Sequence, residues 1–143
     1  MNTIPYRIHE IKTTQFATFP EKYINGGEVS ISTTFHFALK KDIPSVLCSV
    51  EVNYSQDENL LLIAQVDCVF AIEKDAMSNL QQEGKISVTF LRYLGTIATG
   101  TLRGIIHTKT EGSVLNGLVL PPLNLNKVIN QDFIFDKSTE VAK

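Results

Sequence analysis

The chain has 143 residues, of which 43% are hydrophobic, and a formal net charge of −2 at pH 7. This length and apolar content predict a single domain, residues 1–143, around one core. Lysine and arginine are scattered, which argues against binding to nucleic acid or to an anionic membrane surface. The opening MNTIPYRIHE lacks the charged and apolar regions of a secretory signal, and no apolar run approaches the ~20 residues that span a bilayer. We therefore expect a cytoplasmic protein that is not inserted in a membrane.

The chain up to residue 72 has the period-two alternation of β-strands. Ile4, Tyr6 and Ile8 alternate, and the phase then slips at Ile11, which predicts a first strand with a bulge or bend before Phe16. Three further strands follow at residues 28–39, 46–54 and 60–72, joined by short polar turns. This order predicts an antiparallel meander that the first strand joins at an edge, giving four strands.

Residues 73–85 are interpreted as a polar linker, and residues 86–112 form the only long helical pattern. Ser87 suits the N-cap, Ile86 and Leu91 have the spacing of a hydrophobic staple, and Gly112 can end the helix. One side of the predicted helix is apolar and the other is polar. The apolar residues are Phe90, Leu91, Leu94, Ile97, Ala98, Leu102 and Ile105, and the polar residues are Arg92, Thr96, Thr99, Arg103 and His107. The helix and the strands have similar lengths of roughly 33 to 36 Å, so the helix can cover one face of the sheet.

Three glycines, Gly95, Gly100 and Gly104, interrupt the helical pattern. Each costs roughly 1 kcal/mol relative to alanine in an exposed helix. One interpretation is neutral drift, or a segment that is really a strand. The other, which we prefer, is that Gly100 and Gly104 let another backbone come close, most plausibly that of a second subunit.

The chain ends in an apolar connector and a short helix. The connector VLNGLVLPPLNL covers residues 114–125, and its two prolines forbid helix and favour extended structure. A short second helix is predicted from about Asn126 to Phe135, followed by a frayed tail at about 137–143. The predicted fold class is α+β: a four-stranded antiparallel sheet packed by one long helix, an apolar connector and a short C-terminal helix.

No group of residues indicates an enzyme. His9, His36 and His107 fall in different elements without a cysteine or carboxylate at ligand spacing, so we expect no metal. Cys48 and Cys68 lie in alternating apolar rows and are interpreted as reduced core residues, with a disulfide between them as the weaker alternative. The glycines match neither the dinucleotide nor the P-loop pattern, and we expect no cofactor.

The strands and the connector carry more apolar surface than one helix can cover. Phenylalanines and leucines of the strands add to the leucines of the connector. Two explanations stay open: these side chains pack on each other inside one subunit, or part of them forms an oligomer interface or a groove for other chains.

Several segments together resemble the SecB family of export chaperones. YRIHEI at residues 6–11, followed by Pro20, resembles the first strand of that family, and DIPSVL at 42–47 and VFAI at 69–72 resemble later strands. The strongest likeness is Arg103 followed by LPPLNL at residues 120–125. The likeness covers residues 6–129 approximately, and it depends on the order and spacing of motifs that are individually weak.

The resemblance implies an ATP-independent holdase that binds unfolded or newly made polypeptides, with protein export as the usual role. It implies a homotetramer built as a dimer of dimers, in which the long helices meet. The implied peptide-binding groove is carried by Leu118, Leu120, Leu123 and Leu125. The implied oligomer interface is carried by Arg92, Thr96, Gly100, Arg103, Gly104 and His107.

The sequence departs from SecB where that family uses acidic residues to engage the translocase ATPase SecA. The positions near those acidic residues are occupied here by His9, Gln15 and Gln65. Elsewhere on the exposed sheet face, the acidic residues are Glu51 and Asp67. SecA is therefore doubtful as a partner. The alternative is a SecB-like interaction or regulatory domain that serves one dedicated partner, such as an antitoxin, without an export role.

Overall fold

The alternating segments of the first half of the chain form a four-stranded antiparallel sheet in the structure, a computed structural model that describes residues 4–40 and 42–135. The strands are β1 (Tyr6–Thr18), β2 (Ser30–Lys40), β3 (Ser45–Gln56) and β4 (Asn59–Ile72). Their order is β1-β4-β3-β2, so β2, β3 and β4 form the predicted meander and β1 is an edge strand beside β4. The predicted α+β class is confirmed.

Strand β1 contains the irregularity that its sequence predicts. Its register with β4 shifts between Ile8 and Glu10, and again between Thr13 and Gln15. Because each bulge adds one residue to β1, the alternation restarts after it. Ile8 pairs with Phe70 and Ile11 with Cys68, and both therefore lie on the same face of the sheet.

The long helix, α2 (Val88–Lys109), crosses that face and packs on β3 and β4. The Ser87 hydroxyl accepts a hydrogen bond from the Phe90 N–H at 3.3 Å, as its N-cap position predicts. The helix ends at Lys109, and Gly112 follows in the next turn with φ +83°. Thr99, predicted on the polar side, is only 4% exposed, and the buried face extends to it because the connector covers this flank of the helix.

Three predicted elements differ in the structure. The connector, predicted to be extended over residues 114–125, begins with a 3-10 helix, Val114–Gly117, because the Ser113 hydroxyl caps it by accepting from the Leu115 N–H at 3.1 Å. The predicted linker contains a helix, α1 (Lys74–Glu83), because Glu73 caps it by accepting from the Ala76 N–H at 3.1 Å, and because Met77 and Leu80 are buried one turn apart. The C-terminal helix α3 (Leu125–Val128) is a single turn, so the predicted extent from Asn126 to Phe135 is wrong. The chain beyond it is extended because β6 (Phe133–Ile134) pairs with β5 (Lys85–Ile86). The predicted tail at 137–143 lies outside the described residues.

The core lies between the sheet and α2. Cys48 and Cys68 are directly opposite each other on β3 and β4, buried and free, which confirms their core position. Burial raises the pKa of both thiols, which disfavours the reactive thiolate. Glu51 and Asp67 lie on the opposite face of the sheet, as predicted, where both remain partly exposed. Among the helices that the structure describes, none is long and apolar enough to cross a membrane.

Candidate functional site

The apolar connector is tied to α2 by an arginine. Arg103 donates from Nε to the carbonyl of Leu120 at 2.6 Å and from Nη2 to the carbonyl of Pro121 at 3.0 Å. Such charge-assisted bonds are stronger than those between neutral groups. Two leucines of the connector itself, Leu115 and Leu120, are buried. Residues 118–124 of the connector, which follow a 3-10 helix at Val114–Gly117, are therefore held in place along one flank of the long helix.

The four predicted groove leucines do not share one environment. Leu118, Leu123 and Leu125 are half-buried, so part of each side chain is accessible. Leu120 is 1% exposed and packs in the core, so it anchors the connector and is not available at the surface of a groove. Arg103 holds the carbonyl of Leu120 against α2, and the side chain of Leu120 belongs to the hydrophobic core.

A cavity of about 240 Å³ lies between α2 and the connector, and we refer to it as the connector pocket. It is lined by Thr96, Thr99, Arg103, Pro122, Leu123 and Leu125. It thus brings together two predicted groove leucines with two predicted interface residues, Thr96 and Arg103. The sequence did not single out Thr99 for this role, because helical periodicity alone placed it on a solvated side.

A second cavity of about 340 Å³ lies on the other side of the α3 turn, against β2. Its apolar wall includes Phe35 and Phe37 of β2 and Leu91 of α2, and the segment 128–133 forms the rest. The segment is fixed at both ends. Arg92 Nε donates to the carbonyl of Ile129 at 2.8 Å, and Asp132 accepts from the Val88 N–H at 2.7 Å.

A glycine that requires close packing lies beside this cavity. A Cβ on Gly95 would be 2.7 Å from Cδ1 of Ile129 and 3.4 Å from Cε2 of Phe35. Ile129 is itself buried, so its side chain has little room to withdraw. Gly95 therefore lets the α3 segment approach the long helix within one subunit. The sequence pattern includes Gly95 among the three helix glycines, but the close contact was predicted at Gly100 and Gly104.

The predicted oligomer interface separates into two kinds of residue. Arg92 and Arg103 donate to carbonyls of their own chain, as described above. The other four, Thr96, Gly100, Gly104 and His107, are exposed. A Cβ on Gly104 would meet nothing within 4 Å, and one on Gly100 would meet only Nη1 of Arg103, at 4.0 Å. Contacts within the subunit do not account for these two glycines, and the interface stays a prediction.

Apolar side chains also remain exposed on the other flank of α2. Tyr6, Ile8 and Ile11 of the edge strand are 38%, 47% and 51% exposed, and Tyr93 of α2 is 56% exposed. Tyr6 packs edge-on against Phe90, with ring centroids 5.7 Å apart. The helix covers the middle of the sheet but leaves this edge open. A single subunit therefore keeps part of its apolar surface in solvent.

The polar groups that could support chemistry are dispersed. His9, His36 and His107 are all exposed and lie on β1, β2 and α2 respectively. Within residues 4–40 and 42–135, no three histidine, cysteine, aspartate or glutamate side chains cluster closely enough to hold a metal ion.

The four-stranded antiparallel sheet, the long helix across one face, the extended connector and the short C-terminal helix constitute a SecB-like fold. Among solved structures, the chain is similar to the Mycobacterium tuberculosis Rv1957 SecB-like chaperone in complex with a ChAD peptide from the Rv1956 HigA1 antitoxin. The TM-score is 0.53 at 11% sequence identity, and the match covers 82% of this chain and 90% of that chain. No protein-family model matches the sequence. No curated protein matches it either.

Proposed function

We propose that the protein is an ATP-independent holdase that binds unfolded or newly made polypeptides along the connector. The observation that carries this proposal is the connector pocket, where half-buried Leu123 and Leu125 form an accessible apolar wall next to an extended backbone. Extended chains bind to such surfaces through apolar side chains with little demand on sequence. The similar fold of a chaperone that holds a peptide of another protein supports this assignment.

We further infer that the protein is a divergent, cytoplasmic member of the SecB family, formed by one domain over residues 1–143, which works as a dimer of dimers. The exposed stripe of Thr96, Gly100, Gly104 and His107 on α2 is the surface through which we expect the dimers to meet. Among the described residues, none packs closely on Gly100 or Gly104, and this supports the role, since both glycines destabilise the helix without a reason in that part of the subunit.

A second candidate function is a SecB-like domain that serves one dedicated partner without an export role. It is favoured by the composition of the exposed sheet face, opposite α2, where acidic residues would be needed to bind SecA. Two glutamines, Gln15 and Gln65, lie opposite each other there in the register of β1 and β4. The SecB-like chaperone of similar fold is in complex with a peptide from an antitoxin, and this supports a partner of that kind here.

The holdase proposal is tested by light scattering of a chemically denatured client diluted into increasing amounts of the protein. We expect the wild-type protein to suppress aggregation at a few tetramers per client. The variant Leu123→Ser/Leu125→Ser should lose most of this activity. Val114→Ser/Val119→Ser is the matched control, because these valines are exposed on the same connector and do not line the pocket.

Failure of the wild-type protein to suppress aggregation of any denatured client would overturn the holdase proposal. Equal loss in the leucine and valine variants would show that the pocket is not the binding surface. Purification with a single stoichiometric protein, together with no affinity for unfolded chains, would favour the dedicated-partner function.

A further inference from the structure

The side chain of Arg103 carries a charge that the described part of the chain does not neutralise. Its Nε and Nη2 groups donate to the carbonyls of Leu120 and Pro121, which are neutral. Within residues 4–40 and 42–135, the one ion pair joins Lys85 to Asp132. Arginine keeps its proton at any physiological pH. A permanent cation therefore lies half-buried in the wall of the connector pocket.

Arg103, which lines the pocket, has N–H donors that the two carbonyls do not use. Nη1 makes no hydrogen bond to the described residues, and it lies 4.0 Å from the position that a Cβ on Gly100 would take, on the exposed flank of the helix. Planar guanidinium groups bind carboxylates through paired N–H donors. The two bonds to the connector fix the orientation of the side chain, so little conformational entropy is lost when an anion binds.

A buried hydroxyl group in the wall of the pocket has no partner among the described residues. Thr99 is 4% exposed and lines the pocket, and its Oγ1 makes no hydrogen bond within that part of the chain. Unsatisfied buried hydroxyls are costly and indicate a polar ligand or water.

The opposite wall of the pocket is apolar. Pro122, Leu123 and Leu125 form it, and the two leucines belong to the surface assigned above to the client. The volume of about 240 Å³ exceeds by far the ~15 Å³ that one water molecule needs, so a side chain fits. The pocket thus combines one cation, one unsatisfied hydroxyl and an apolar wall formed by the connector.

We propose that the connector pocket binds the carboxylate of an aspartate or glutamate in the client polypeptide, next to a large apolar residue that packs on Leu123 and Leu125. This inference rests on the proposed function and adds a charge preference to it. The protein then selects extended segments in which an acidic residue adjoins an apolar one, instead of apolar segments in general. Arg103 Nη1 donates to the carboxylate while Nε and Nη2 continue to hold the connector.

The test uses two short fluorescein-labelled peptides of leucine, phenylalanine and serine that differ only in a central glutamate or glutamine. Dissociation constants for both are measured by fluorescence anisotropy on the same protein. We expect the glutamate peptide to bind the wild-type protein about fivefold more tightly, the upper range for a partly exposed ion pair. Added salt should reduce this preference, because screening weakens the charge interaction.

Arg103→Gln should bring the ratio of the two dissociation constants to about one. Because both peptides are measured on one variant, any loosening of the connector affects both and cancels in the ratio. Arg92→Gln is the matched control, since Arg92 is also half-buried on α2 and also donates to a backbone carbonyl, but does not line the pocket. Its ratio should equal that of the wild-type protein.

The outcomes separate this inference from the holdase proposal. Equal binding of both peptides to the wild-type protein would leave the holdase proposal intact and overturn the proposed preference for an acidic residue. An unchanged preference in Arg103→Gln would overturn the assignment of Arg103. Absence of binding for both peptides would overturn the inference and the proposed function together.

Discussion

Substitutions of the two exposed glycines of α2 test two properties separately: the free energy of unfolding of the subunit and the assembly of subunits into an oligomer. Gly100 and Gly104 are one turn apart, and added Cβ atoms would meet no closer neighbour than Nη1 of Arg103 at 4.0 Å. In an isolated subunit, Gly100→Ala/Gly104→Ala should raise the free energy of unfolding by about 2 kcal/mol, since each glycine costs roughly 1 kcal/mol relative to alanine in a helix.

The same positions should respond differently if two long helices meet there. Glutamine is a good helix former and tolerates solvent, so Gly100→Gln/Gly104→Gln should leave the subunit folded. Two long side chains at a close helix contact cannot be accommodated without separating the helices. We therefore expect the glutamine variant to shift from tetramer to smaller species, even though its secondary structure is unchanged.

Gly95→Ala is the control for close packing within the subunit. The added Cβ would be 2.7 Å from Cδ1 of Ile129, and displacing this buried side chain costs about 1 to 3 kcal/mol. The cost exceeds the gain of ~1 kcal/mol from helix propensity, so this variant should be less stable than wild type by about 1 kcal/mol. Its oligomeric mass should not change.

The assays are light scattering coupled to size-exclusion chromatography, for mass, and urea denaturation at several protein concentrations, for the free energy of unfolding. A glutamine variant with the wild-type mass would refute the proposed interface on this stripe. A Gly95→Ala variant that is more stable than wild type would refute the close-packing argument. A wild-type protein that is monomeric at all concentrations would contradict the proposed assembly.

Three further outcomes are expected from the geometry of the connector and the core. Arg103→Gln should increase hydrogen exchange of the connector amides and lower the free energy of unfolding by about 1 to 3 kcal/mol, because it removes both bonds to the carbonyls of residues 120 and 121. Unchanged hydrogen exchange measured by mass spectrometry would contradict this expectation. Leu120→Ala should lower the free energy of unfolding in urea by about 2 to 5 kcal/mol, because the side chain is buried. Leu123→Ala should lower it clearly less, because Leu123 is half-buried. Equal losses in the two variants would contradict the anchoring role of Leu120. Burial raises the pKa of Tyr54 to about 12, so its contribution to stability is complete below the unfolded pKa of about 10 and is lost as the pH rises through about 12. Tyr54→Phe should remove this part of the alkaline loss, and an identical stability profile between these pH values would count against it.

Short-range patterns predicted most of the regular structure. The phase slip at Ile11 corresponds to the bulges of β1, and Ser87 caps α2 as expected. Capping and alternation involve residues within a few positions of each other, so the sequence displays them directly. The helix α1 was not predicted because its composition is mostly polar. Its two buried residues, Met77 and Leu80, are identified only in the packed chain.

The candidate site was predicted in part. Leu123 and Leu125 reach the surface of the connector pocket as expected, whereas Leu120 is buried. The cavity beside Phe35 and the contact of Gly95 with Ile129 were not predicted. Both depend on where the α3 segment lies against β2 and α2, and no local periodicity encodes that position.

The sequence by itself determined the α+β class, the strand order of the meander, the start of the long helix and the absence of helix at the two prolines of the connector. Each of these depends on side chains that are close together along the chain. Only the tertiary structure decided what Arg103 binds, since the carbonyls it contacts are 17 and 18 residues away. It also decided that Thr99 is buried and that Leu120 is an anchor, because burial depends on which distant segment covers a side chain. Contacts between distant segments are set by the packing of the whole chain, and these contacts form the pocket on which the proposed function depends.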